Sequence, residues 1–146
     1  MKEYIHYGHK KFDKNKFEPI KNDYWVKPYG GFWASKVNAE YGWKDWNEDN
    51  QFRECKEENS FKFTLTENAK VITINSLEDL VKLPKQRGLM GSSLLGNYIY
   101  LDFEQILRDG YDALEVNISK DNRLYWALYG WDCDSLLVLN KEIIKE

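Results

Sequence analysis

A chain of 146 residues carrying 6 Trp, 10 Tyr and 7 Phe has the apolar mass for one compact core, and one domain over 1–146 is expected at this length. Its formal charge of −3 speaks against broad electrostatic binding to nucleic acid, which needs clustered Lys and Arg at the phosphates. No stretch is apolar for long enough to span a membrane, and Met1-Lys2-Glu3-Tyr4 lacks the apolar core of a secretory leader, so a cytoplasmic location with reduced thiols is expected.

Residues 4–8 predict a short first strand. Residues 9–30 are polar and carry Pro19, Pro28 and Gly30, so they predict loop, pinned to the body by Phe12, Phe17 and Ile20. The basic run Lys10, Lys11, Lys14 and Lys16 within it reads as a solvated loop. Next comes Lys27-Pro28-Tyr29-Gly30-Gly31-Phe32-Trp33-Ala34-Ser35. Glycines permit close approaches that a side chain would block, and the rings just after them offer flat surfaces. The segment fits a turn entering a buried strand, 31–35, or one wall of a site for a planar ligand.

Glu40 to Phe52 places Trp43, Trp46, Asn47 and Asn50 at helical spacing and predicts a helix showing two tryptophans to the core. Strands are expected at 61–65, where Phe61, Phe63 and Leu65 alternate with polar residues, and at 71–74. Ser76 caps a short helix that ends at Pro84. Residues 85–97 hold three glycines among apolar residues and predict a flap. They are not a phosphate loop, since no Gly-Lys-Ser/Thr follows at the required spacing. Asp102 caps a further helix, with Gln105 placed to complete a capping box and Gly110 to stop it. Strands are then expected at 112–118, 123–129 and 135–139, the last apolar on both faces and so central. The sum is an α+β fold with a mostly antiparallel sheet and flanking helices.

Cys55 and Cys133 are the only cysteines, and neither a CxxC spacing nor a disulfide is implied; with His6 and His9 they make a poor zinc site, so no metal is expected. In Tyr111-Asp112-Ala113-Leu114-Glu115-Val116-Asn117-Ile118, alternation puts Leu114, Val116 and Ile118 on a core face. Ala113, Glu115 and Asn117 take the other face. Glu115 there is either on an ordinary exposed strand face or projecting into a cleft, where a carboxylate stabilises positive charge.

Three elements stand in order: Tyr7-Gly8-His9 ending a strand, Gly30-Gly31-Phe32-Trp33-Ala34-Ser35, and a late strand with Glu115. This order, with Asp132-Cys133-Asp134-Ser135-Leu136-Leu137-Val138-Leu139-Asn140 as a final strand, resembles the ADP-ribosyltransferase fold. The chain as a whole resembles small members encoded by bacteriophages and prophages. The resemblance implies a sheet split into two halves with NAD in the cleft between them. It implies that Gly8 holds the nicotinamide amide, with His6 or His9 standing in for the family's residue before that glycine, which here is Tyr7. It further implies that Gly31, Phe32 and Trp33 line the pocket, that Ser35 hydrogen-bonds the site, and that Glu115 stabilises the oxocarbenium-like transition state. The expected activity is transfer of ADP-ribose from NAD to a host protein or nucleic acid. Ala113, where arginine-modifying members carry Gln or Glu, argues against an arginine acceptor. The alternative is a non-catalytic binding protein on the same fold, such as a phage-encoded inhibitor of a host defence protein. An RNA-contacting module is disfavoured by the negative charge.

Overall fold

The structure is a computed structural model and describes residues 2–23, 26–50, 55–86, 98–128 and 131–146. In chain order the elements are strands β1 Tyr4–Tyr7 and β2 Phe32–Lys36, helix α1 Trp43–Asn50, strands β3 Ser60–Leu65 and β4 Val71–Ile74, helices α2 Leu77–Val81 and α3 Phe103–Arg108, strand β5 Ala113–Val116, helix α4 Asn122–Ala127, and strands β6 Ser135–Val138 and β7 Ile144–Lys145. The strands form a seven-stranded sheet in the order β4-β5-β6-β2-β1-β3-β7. Every pairing is antiparallel except β4 with β5. The architecture is therefore α+β with a mostly antiparallel sheet.

The registers define two faces. Tyr4 opposes Lys36 and Phe63, Ala34 opposes Leu136, and Leu136 opposes Glu115, so these side chains share one face. Trp33, Leu137 and Leu114 share the other. The first face packs a smaller cluster around Tyr4, Phe61, Phe63 and Val138. The second carries the larger core, where Leu80, Phe103, Ile106 and Leu124 from the helices meet Leu114, Val116 and Leu137.

β5 and β6 are flanked by strands on both sides and covered on both faces, which agrees with the two-sided apolar run Leu136–Leu139. The same placement closes the face expected to be open on β5: Glu115 and Asn117 are each only 2% exposed.

Residues 123–129, expected as a strand, are instead helical over Asn122–Ala127. The Asp121 carboxylate accepts from the Arg123 and Leu77 backbone N–H groups and so caps α4. Leu124, Ala127 and Leu128, spaced three and four apart, are the residues buried. Tyr125 and Trp126, residue types common in strands, belong to this helix, and Trp126 faces solvent.

Ser76 and Asp102 cap α2 and α3 as expected, their side chains accepting from the Asp79 and Gln105 N–H groups. Gln105 does not close a capping box. The Asp102 backbone N–H is taken by the Pro84 carbonyl at 2.9 Å, and Gln105 turns to Asp109 instead. In α1 the buried residue is Asn47, while Trp43 and Trp46 are half-buried and stack on one another at 5.4 Å. Residues 87–97 of the expected flap lie outside the described residues.

Candidate functional site

β1 and β2 do not stay paired along their length. Their ladder covers Tyr4↔Lys36 and Ile5↔Ser35 only. Past that point β2 pairs with β6 through Phe32, Trp33 and Ala34. The Trp33 carbonyl, facing the widening gap, is met by a side chain rather than by backbone: His6 Nδ1 lies 2.7 Å from it. A carbonyl only accepts, so Nδ1 carries the proton. In the neutral ring Nε2 is then the acceptor, and it takes a hydrogen bond from His9 Nδ1 at 3.1 Å. The two imidazole planes are nearly parallel, 17° apart, with ring centres at 5.3 Å. Burial holds the His6 pKa below the usual histidine value, with His9 adding to the effect and the Trp33 carbonyl opposing it.

The gap opens into a pocket of about 240 Å³. Its walls are Trp33 from β2, Trp43 from the start of α1, Trp131, and Ile5, His6 and Tyr7 from β1. Trp33 and Trp131 meet edge to face at 4.7 Å, an arrangement in which the positive edge of one ring meets the negative face of the other. Trp131 is anchored by its indole N–H, which donates to the Val26 carbonyl at 3.3 Å, and by stacking on Phe103. The polar lining is Lys27, Asp132, Cys133 and Ser135. Lys27 Nζ stands 5.4 Å from the centre of the Trp33 ring. Burial raises the Cys133 thiol to about 11, partly offset by Ser135, so it stays protonated near neutral pH.

A second hollow of about 370 Å³ lies between the segment following β1 and the start of β2, lined by Gly8, His9, Phe12, Phe17, Gly31 and Phe32 with Lys10, Lys11 and Lys16. The expected site residues therefore divide. His6, Tyr7 and Trp33 line the tryptophan pocket, and Gly8, His9, Gly31 and Phe32 line the basic hollow.

Ser35 and Glu115 line neither. Ser35 is buried, donates to the Asp134 carbonyl at 2.9 Å and accepts from the Trp43 N–H at 3.0 Å, so it joins β2 to the start of α1. The glycines make close internal approaches. The Gly8 N–H donates to Asn59 and the Gly31 N–H to Glu18. Gly30 and Gly31 have φ of +71° and +74°. A Cβ on Gly30 would meet the Pro19 carbonyl, and one on Gly31 would lie 2.7 Å from Leu137 Cδ1.

Glu115 sits on the face opposite Trp33, where no water-sized space adjoins it. The Tyr4 hydroxyl donates to Oε1 at 2.8 Å and Lys2 Nζ to Oε2 at 3.2 Å. Burial alone would raise the Glu115 pKa. Those two bonds, with the charges of Lys2 and Lys36, overcome it and hold the carboxyl below its usual value. Burial and then Glu115 push the Tyr4 hydroxyl well above the usual phenol range.

Trp43, Trp131, Lys27, Asp132 and Cys133 were not singled out as site residues in the sequence. The only available signal was the abundance of tryptophan, since these residues come from three separate segments. Among the described residues no cluster of three metal-ligating side chains exists, and no helix is long and apolar enough to cross a membrane. Comparison with protein-family models, curated proteins and solved structures finds no match to this chain.

Proposed function

We propose that this protein works by binding, and that the tryptophan pocket is where it engages its ligand or a side chain of its partner. The observation carrying this reading is that Glu115 is absent from the pocket lining, lies on the sheet face opposite Trp33, and is held by Tyr4 and Lys2. A carboxylate so engaged serves as a structural acceptor. The pocket is mostly apolar, with a few polar groups at its margin, as small-ligand sites commonly are. At about 240 Å³ it exceeds an engineered cavity of about 150 Å³ that takes up benzene. It is sized for one ring or one branched head group, and a whole dinucleotide exceeds it. A host protein presenting such a group is the partner that the phage-like resemblance suggests.

Transfer of ADP-ribose from NAD to a host macromolecule is the second reading. It is favoured by the fit of a single ring such as nicotinamide, and it requires Glu115 to reach the ribose. Calorimetry with NAD and nicotinamide, beside labelled-NAD transfer in host lysate, separates the two. Ligand or partner binding lost in Trp33→Leu, with no nicotinamide release, supports binding. Transfer that is abolished in Glu115→Gln, from a folded variant, refutes it.

A further inference from the structure

We propose that the tryptophan pocket recognises a quaternary or methylated ammonium group. This rests on the binding role proposed above and names its ligand class.

The walls supply the first argument. Trp33, Trp43 and the nearly buried Trp131 line the space, and Trp33 and Trp131 are close to perpendicular, 68° apart. Indole faces carry the negative lobe of the ring quadrupole, and tryptophan is the strongest of the aromatic partners for a cation.

The chain's own lysine supplies the second. Lys27 Nζ lies over Trp33 at 5.4 Å, so the fold already places a cation against this wall. A primary ammonium is compact and strongly hydrated. A methylated ammonium is larger and less hydrated, and its methyl groups can fill the 240 Å³ that the Lys27 head leaves open. The guest displaces Lys27 toward solvent and takes its place beside the ring.

The charge balance supplies the third. Lys27 and Asp132 are the ionised groups lining the pocket among the described residues. The neighbouring His6 is neutral near pH 7, its pKa lowered by burial, and the Cys133 thiol is protonated. Once Lys27 moves aside, Asp132 remains as the fixed charge, and its sign favours a cation.

The experiment is a titration of the intact protein with choline, with 3,3-dimethylbutan-1-ol as the neutral isostere of the same shape, and with nicotinamide. Binding is followed by calorimetry and by the indole N–H resonances of the tryptophans. Choline is expected to bind at least tenfold more tightly than the isostere. Lys27→Met, which keeps length and removes the competing charge, is expected to tighten choline roughly two- to fivefold. Asp132→Asn is expected to weaken choline and leave the isostere unchanged. A hexapeptide carrying trimethyllysine, run beside its unmethylated form, distinguishes a protein side chain from a free small molecule as the source. Equal affinity for choline and its isostere, or preference for nicotinamide, overturns the ammonium assignment while the pocket stands as a binding site. Absence of any indole shift with all three probes and the peptide overturns both.

Discussion

Glu115→Gln separates a structural carboxylate from a catalytic one. The side chain is 2% exposed and accepts from Tyr4 at 2.8 Å and Lys2 at 3.2 Å. A hydrogen bond to a charged group contributes about 1.5–3 kcal/mol and one between neutral groups about 0.5–1.5 kcal/mol, so the Tyr4 bond alone weakens by roughly 1 kcal/mol. Lys2 is 59% exposed, and a pair screened to that extent adds about 0–1 kcal/mol. The new amide N–H₂ would face the Lys2 ammonium, which cannot accept. Removing a buried charge offsets part of these losses. A net destabilisation of about 1 kcal/mol is expected, lowering Tm by roughly 2–4 °C for a chain near this size.

The pH dependence follows the direction of the shift. The folded pKa of Glu115 lies below its unfolded value. Its stabilisation is therefore present above the unfolded pKa of about 4.3 and fades as pH falls through the folded pKa. The acid limb of the stability curve should flatten in Glu115→Gln. Urea and thermal unfolding from pH 7 to pH 3 measure both effects, and Tyr4→Phe completes a double-mutant cycle with expected coupling of about 1 kcal/mol. A Glu115→Gln protein as stable as the wild type, with an unchanged acid limb, would refute the structural role. Catalytic groups are frequently replaced without loss of stability, so that result would return Glu115 to the transferase reading.

The remaining predictions concern the pocket and the glycine turn. The His6 pKa is lowered on folding, so between the folded value and the unfolded value of about 6.5 the unfolded chain binds more protons and stability rises with pH. His6→Gln should remove that slope, read from urea midpoints at pH 5 to 8; equal slopes in both proteins would contradict it. Ser35→Ala loses a buried donor and acceptor at the head of α1 and should destabilise by about 2 kcal/mol while weakening ligand binding through Trp43. Gly31→Ala puts a Cβ into Leu137 at φ +74° and should cost about 3 kcal/mol from strain and overpacking together. Gly110→Ala, at φ +95° with open space around it, should cost only about 1 kcal/mol. Similar urea midpoints for the two alanine variants would show that the contact with Leu137 is unimportant.

Much of the fold was legible where a local rule acts alone. Phe61 and Phe63 alternate with polar neighbours, and Ser76 and Asp102 cap their helices through their own side chains. Leu136–Leu139 announced a central strand because only a strand covered on both faces tolerates such a run. Where a run is apolar or aromatic throughout the reading failed: α4 was expected as a strand, and only burial separates Leu124, Ala127 and Leu128 from the exposed Tyr125 and Trp126. Glu115 was located on the correct strand and the correct side of it, away from Leu114 and Val116. Its burial was not legible, because that depends on Tyr4 and Lys2 arriving from the other end of the chain.

The sequence by itself determined the class of fold, the caps and most of the strands, because these rest on interactions among residues a few positions apart. It also marked Gly30-Gly31 as a place of close approach, though not what approaches: the Glu18–Pro19 backbone and Leu137. Only the tertiary structure decided the site. Strand register set Trp33 and Glu115 on opposite faces, and the end of the β1–β2 ladder after two residue pairs made the opening that Trp43, Trp131 and Lys27 surround. Register and ladder length depend on every strand in the sheet at once, so no local stretch of sequence carries them.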